Sequence, residues 1–365
     1  MTQSTVLLRS NLGSGRTVLM RVLSCCAVLV VLVCADGSSR ASQQSNSSFP
    51  PLLDAYLSTH VHLTPAERKS LLSNVPVTKL LETDPSKEVS VFGAVWIDAA
   101  PVDYVQLIED IERFERGGRF RITKKISAPP RLDDFALLRL PEEDLKALKT
   151  CRVGDCELKL GEQALERTRS AIDWTKPTAA AQVEELIRKL VFEYVSEYVS
   201  GGNDRLAVYR DSERPTFVAT EFTSMIDRMP ELDQHLTELK AYLLGYPRQI
   251  LPDATSFLYW QEVEFGLKPT IRVNHVVINN RPDGTAIASK MIYASHYFWT
   301  ALDFRVLMPD PARGRGFWFV NVSRSRLDGL SGFVGQRIRS RVQSDVQKAL
   351  ATSLKTTKDR LEQGK

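Results

Sequence analysis

No Gly-x-Ser-x-Gly elbow, Walker loop, His-Glu-x-x-His pair or Gly-x-Gly-x-x-Gly fingerprint occurs in the 365 residues. The commonest hydrolase, nucleotide-binding, metalloprotease and dinucleotide-dependent classes therefore have no positive support, although a scattered active site would leave no such signature. The apolar run from Val22 to Ala35 falls short of the roughly 20 residues of a membrane span. Cysteine and histidine are scarce, at five each, and Cys25, Cys26 and Cys34 lie inside that run. No acidic residue occurs before Asp36.

That pattern has a positive reading. Arg9, Arg16 and Arg21 precede the apolar run, and Val33-Cys34-Ala35 offers small residues for cleavage, so residues 1–35 are expected to be a secretory signal peptide. Ala41 is a second cleavage candidate, and a start at Met20 instead of Met1 would leave a compact signal. Lipidation at Cys34 is the weaker alternative, because Val33 stands where a small residue is wanted. The expected location is the periplasm or the cell exterior. Losing three arginines and no acid takes most of the formal net charge of +4 with it, leaving no electrostatic case for a nucleic-acid partner.

Cys151 and Cys156 are the cysteines that remain. In an oxidising compartment this pair most simply closes a disulfide loop, with Gly154-Asp155 supplying the turn. A redox pair normally has two intervening residues, and a metal site needs further ligands. His60 and His62 have no such companions nearby, so no metal or other cofactor is expected.

Along the chain, residues 36–50 read as a disordered tether, rich in Ser, Gln and Asn. Thr64-Pro65-Ala66-Glu67 is a capping box opening a helix to about Ser73. Val89–Ile97 reads as a strand, Pro101–Arg116 as a helix stopped by Gly117-Gly118, and Arg119–Ile126 as a second strand. Residues 130–250 are mainly helical, with clear segments at 178–200, 216–228 and 230–244. Strand texture returns at 255–265, 270–279, 285–297, 299–308 and 317–326, with a hairpin turn at 279–284. A final helix from 330 carries Leu330, Val334, Ile338, Val342, Val346, Leu350 and Leu354 at every fourth position, a stripe that drifts about 40° per step.

The expected fold class is α+β, a curved antiparallel sheet gripping a long C-terminal helix, with a large helical insertion. The order resembles the START-like (SRPBCC, helix-grip) superfamily, carried by "VFGAVWIDAAPVDYVQLIEDIERF" at its opening and "FWFVNVSRSRLDGLSGFVGQRIRSRVQSDVQKALATSLKTTKDRLE" at its close. That superfamily includes StAR-related lipid-transfer domains, polyketide cyclases and birch-pollen-allergen-like proteins. The chain also resembles a group of uncharacterised exported bacterial proteins. The resemblance implies an apolar cavity between sheet and helix, and hence an exported carrier of an apolar or lipid-like molecule.

Glu262, His275, Ser289, Tyr259 and Tyr293 are the candidate ligand-binding residues, polar hooks in an otherwise apolar pocket. Pairing around a turn at 281–282 would set His275 beside Ala288 or Ser289. The favoured reading of His275 is nonetheless a core histidine bonded to a backbone carbonyl, and the alternative for Lys290, His296 and Arg324 is a solvated outer face. Segment 311–365 has twelve Lys or Arg against four acids, so Arg337, Arg339 and Arg341 could meet anionic lipid, or simply form the wet side of the helix. Two alternatives stand beside the carrier. One is a START-like cyclase or hydrolase using His275 with Glu262 or Ser289. The other is an envelope interaction module presenting helices 178–244.

Overall fold

A computed structural model describes residues 48–266 and 268–363. The leader expected at 1–35 and most of the tether lie outside them. The tether's end does not: Phe49 is buried, its ring 5.1 Å from that of Trp318. Helix α1 follows at Pro51–Tyr56, running into a short π turn, Leu57–Val61. His60 sits in that turn and His62 caps it at φ 56°, so the pair is not on a strand. The capping box forms as read, with Thr64 Oγ1 accepting from Glu67 N at 3.2 Å and Glu67 Oε2 from Thr64 N at 2.7 Å, and opens α2, Pro65–Leu72.

An eight-stranded antiparallel sheet forms the centre. Its strands are β1 (Val77–Leu80), β2 (Glu88–Ile97), β3 (Phe120–Ile126) and, after the insertion, β6 (Ala254–Phe265), β7 (Lys268–Arg281), β8 (Gly284–Ala294), β9 (Phe298–Pro309) and β10 (Phe317–Leu327). The spatial order is β1-β2-β10-β9-β8-β7-β6-β3, so the late meander is closed at both ends by early strands. Between β2 and β3 the expected single helix is two, α3 (Pro101–Glu109) and α4 (Ile111–Phe114). Asp110, at φ −92° and ψ 56°, leaves helical geometry between them.

The chain from Glu142 to Gly245 supplies α5 (Glu142–Leu148), α6 (Glu162–Ala171), α7 (Ala179–Gly201), a two-residue ladder of β4 (Val208–Tyr209) with β5 (Thr216–Phe217), and then α8 (Val218–Ile226), α9 (Pro230–Gln234) and α10 (Thr237–Gly245). Cys151 and Cys156 form the expected disulfide, Cα atoms 4.5 Å apart, around a turn closed by Asp155 N donating to Arg152 O at 3.0 Å. The final helix, α11, spans Gly332–Gln363.

Because strand side chains alternate, the sheet has two distinct faces. A Cβ at Gly93 would stand 2.8 Å from Leu350 Cδ2 and Leu354 Cδ1, which identifies the face carrying Val91, Val95, Phe319 and Asn321 as the one beneath α11. The opposite face, with Phe92, Trp318, Phe304 and Val277, is covered by α1 and α8–α10, while α7 packs over the β6–β8 end around Trp260 and Val273. α11 rests on β2 and β1 rather than across the whole sheet. Of the four-residue stripe, Leu330 is buried ahead of the helix; within α11 Val334 and Ile338 are exposed, Val342, Val346 and Leu350 are half-buried, and Leu354 is sealed. A stripe drifting about 40° per step cannot keep both ends on one surface.

Candidate functional site

The floor beside α11 is polar, against the expectation of an apolar hollow. Cross-strand rows set Gln261 against Arg272, Tyr259 against Asn274, Ser289 against Asp303 and Ser323, and Arg305 against Asn321, which itself adjoins Gly93 beneath the helix. Glu115, just past α4, binds this floor from the side. Its carboxylate accepts from Gln261 Nε2 at 2.6 Å and from the Tyr259 hydroxyl at 3.4 Å, and Arg272 Nη2 stands 4.0 Å away. Thr123 Oγ1 donates to the Glu115 carbonyl at 2.6 Å. Arg272 also donates through Nε to Gln261 Oε1.

Two buried amides in this floor lack partners. Asn274 and Asn321 are 3% and 5% exposed, yet Asn274 Nδ2 and Asn321 Oδ1 make no hydrogen bond. Such orphans are costly and rare in a finished core. Solvent reaches the same floor, because Arg272, Asp303, Arg305 and Ser323 are only half-buried. Arg305 stays firmly protonated: burial opposes its charge, but Tyr104, Asp303, Glu115 and Tyr259 outweigh that penalty. Burial pushes the Tyr104 phenol up to about 12, with Glu115 and Asp303 adding to the shift and Arg305 opposing it. Burial, then Glu115, raises Tyr259 as well, while a hydrogen bond with Ser289 works the other way. Arg119 acts on the same groups, so three arginines stand over two carboxylates, and the unmet demand is one amide donor and one amide acceptor.

The five candidate residues are divided. Tyr259 and Ser289 share the α11 face. Glu262, one position out of phase with Gln261, binds Arg121 Nη1 at 3.0 Å, and Tyr293 joins Tyr194 and Tyr209 under α7 with ring centroids 6.0 and 6.2 Å away. His275 lies on the face away from α11 and pairs with Lys290, not with Ala288 or Ser289, because the hairpin closes at Arg281↔Gly284 and shifts the register. His275 and Ser289 therefore stand on opposite faces, and an active site built on both has no geometry.

Lys290, His296 and Arg324 do not form a solvated face. They are 1%, 3% and 5% exposed, because the inserted helices cover that side. His296 contacts Asp144 Oδ2 at 3.0 Å and the Glu157 carbonyl at 3.1 Å, and Lys159 bridges Asp211 and Asp328 at 3.0 and 2.8 Å. These buried polar pairs tie the insertion to the sheet. Lys290 donates to Asn203 Oδ1 and lies 4.3 Å from the Phe222 ring centroid. Burial lowers its amine to about 7.

His275 is a core histidine, but its partner is a phenol, not the backbone carbonyl expected. The Tyr198 hydroxyl, itself held protonated by burial, shares a hydrogen bond of 2.9 Å with His275 Nδ1. Burial, then the Lys290 charge, drives His275 from 6.5 down to about 3. The folded ring stays neutral where the unfolded one protonates, so unfolding takes up a proton as pH falls from 6.5 toward 3 and stability drops with it. Between pH 7 and pH 5 this single group should remove about 2 kcal/mol. Urea titrations at both pH values should show His275→Gln losing about that much less than the parent. An equal loss in both proteins would refute the assignment.

Sequence reasoning missed Glu115, Gln261, Arg272, Asn274, Asp303, Arg305 and Asn321. One signal was present: odd-numbered positions of otherwise apolar central strands carry Asp303, Arg305, Asn321 and Ser323, which is unusual for a strand buried on both sides. Among the described residues no helix is long and apolar enough to cross a membrane, and no group of three His, Cys, Asp or Glu converges to hold a metal. Comparison with protein-family models, with curated proteins and with solved structures gives no match.

Proposed function

We propose that this protein is an exported carrier of a lipid-like molecule, held between the sheet and α11 in the manner of a helix-grip domain. The observation that carries the reading is the pair of orphaned amides, Asn274 Nδ2 and Asn321 Oδ1, in a floor that solvent reaches. Asn274 and Asn321 stand three strands and four residues apart, so each would meet a different part of a bound molecule, Asn274 an acceptor on it and Asn321 a donor. With Arg119, Arg272 and Arg305 outnumbering Glu115 and Asp303, a zwitterionic or anionic head fits better than a cationic one. The apolar part would lie along Val95, Phe319, Leu350 and Leu354, which pack together on the same face. The strand order supports the superfamily reading, because β2 and β3, either side of α3–α4, flank the five-strand meander as first and last neighbours. Export is supported by the Cys151–Cys156 disulfide, a bond that persists in oxidising compartments.

Native mass spectrometry of the purified protein is the test. A co-purifying amphipathic species is expected, and Asn274→Leu or Asn321→Leu should weaken its binding about tenfold, the consequence of one lost buried hydrogen bond. A parent protein free of any bound species, and unable to take up a zwitterionic lipid from micelles, would end the proposal.

A carrier must meet its donor surface, and the start of α11 is suited to that. Phe333, Val334 and Ile338 are 71%, 68% and 44% exposed, and Arg337 packs over the Phe333 ring at 4.7 Å. Arg341 extends into solvent, its only ion-pair partner among the described residues being Asp345 at 3.8 Å. Arg339 is turned inward, donating to Thr83 Oγ1 at 2.8 Å, so the three arginines do not act as one patch. Apolar side chains beside two outward arginines match an anionic bilayer surface. Phe333→Asp with Val334→Asp should cut sedimentation with phosphatidylglycerol vesicles by about tenfold or more. Undiminished sedimentation would remove this end of α11 as the contact.

A further inference from the structure

The face of the sheet turned away from α11 holds a cavity, roofed by α1 and α9. Its volume is about 80 Å³. Its walls are apolar, formed by Leu53, Phe304, Val306, Met308, Val320 and Val322. Three buried polar side chains reach this lining, Tyr56 from α1, Glu231 from α9 and Thr285 from β8.

Glu231 is 8% exposed; its carboxylate accepts from its own backbone N–H, but no cationic side chain among the described residues is in contact with it. Burial holds its pKa above the usual carboxylate range, and Asp233 acts in the same direction. Arg324, from β10, opposes that shift, but its Nη1 is committed to Glu88 at 3.0 Å. The Tyr56 phenol is raised by burial first and by Glu231 second, so the two groups sense each other. At the mouth, Arg281 and Asp283 neutralise one another through contacts of 3.0 and 3.1 Å, and His235 stands beside them. The cavity therefore offers apolar walls and one carboxylate without a counter-charge.

We infer that this cavity is a binding site for a small primary amine with a slender apolar body, its ammonium paired with Glu231 and its chain lying against Phe304, Val306 and Met308. A buried carboxylate lacking a counter-charge is unfavourable, and a ligand that brings the missing cation converts that penalty into selectivity. Each methylene buried against the walls should add about fourfold in affinity. The site is separate from the floor under α11 and does not depend on the carrier reading.

Isothermal titration of the purified protein with n-hexylamine and with hexan-1-ol tests the assignment. The two probes share a chain and differ in charge. At pH 7.5 the amine is expected to bind at least tenfold more tightly, and Glu231→Gln, which keeps the shape, should remove that preference. Val306→Trp should abolish binding of both probes by filling the cavity, whereas Asn274→Leu should change neither. Equal affinity for amine and alcohol in the parent, no amine binding at all, or an amine preference that survives Glu231→Gln would each overturn it.

Discussion

Alanine in place of Glu88 is expected to cost about 3–5 kcal/mol of folding stability, the usual consequence of breaking a buried ion pair from one side. Glu88 is fully buried and accepts from Arg324 Nη1 and Arg326 Nε, each at 3.0 Å. Arg326, 1% exposed, keeps a second partner in Glu221 at 2.6 Å, but among the described residues Arg324 bonds no other carboxylate, Glu231 acting on it only at longer range, and its Nε already lacks a bond. Removing Glu88 strands at least one guanidinium beneath α8, where water cannot reach it. Urea denaturation should show the midpoint falling steeply with the slope unchanged. A loss under 1 kcal/mol would mean that the arginines find water or another acceptor, and that the β2–β10 junction is looser than drawn here.

Gly202→Ala should be nearly as damaging, about 3 kcal/mol or more, and for a backbone reason. Gly202 ends α7 at φ 59° and ψ −133°, a conformation that side chains other than hydrogen resist. An added Cβ would also fall 1.6 Å from the Tyr246 carbonyl oxygen, so the end of α7 could not stay against the segment following α10. Asn203 bonds the last turn of α10, donating to Leu243 O at 3.0 Å and Leu244 O at 2.8 Å while accepting from Lys290. Displacing it would loosen Lys290 and the Tyr246 ring that lies 4.5 Å from His275. The check is the thermal midpoint together with near-ultraviolet circular dichroism, which reports this aromatic cluster. A variant with parental values in both would show that the approach is adjustable.

Local chemistry made much of the fold legible. Thr64 and Glu67 are three residues apart, and the box they form needs nothing beyond its own turn. Cys151 and Cys156 close across a turn of the chain itself. The meander strands announce themselves by β-branched and aromatic alternation, and the order of elements foretold an antiparallel sheet with a long helix after it. Elements held by distant partners escaped notice. β1 is four residues long and exists because β2 offers it a ladder, and α1 is held by Phe49, Trp318 and the core beneath it.

The candidate site was harder to read for a related reason. Alternation groups Tyr259 with Gln261, and Asp303 with Arg305, but says nothing about which layer covers that group. A hairpin closing at Arg281 and Gly284 moved the partner of His275 to Lys290 and put Ser289 on the other face. Lys290, His296 and Arg324 look like surface residues by chemistry, and they are buried because helices from a different part of the chain lie over them.

By itself the sequence determined the α+β class, the order of the elements, the cysteine bridge and the apolar stripe of the last helix, since each follows from spacing within a turn, a strand or a hairpin. Only the tertiary structure decided which sheet face meets α11, which charges are sealed, where the Asn274 and Asn321 amides go unpartnered and where the Glu231 carboxylate lacks a counter-charge. Burial is a property of the packed layers, and a residue's side of a sheet depends on a register that one shifted position reverses.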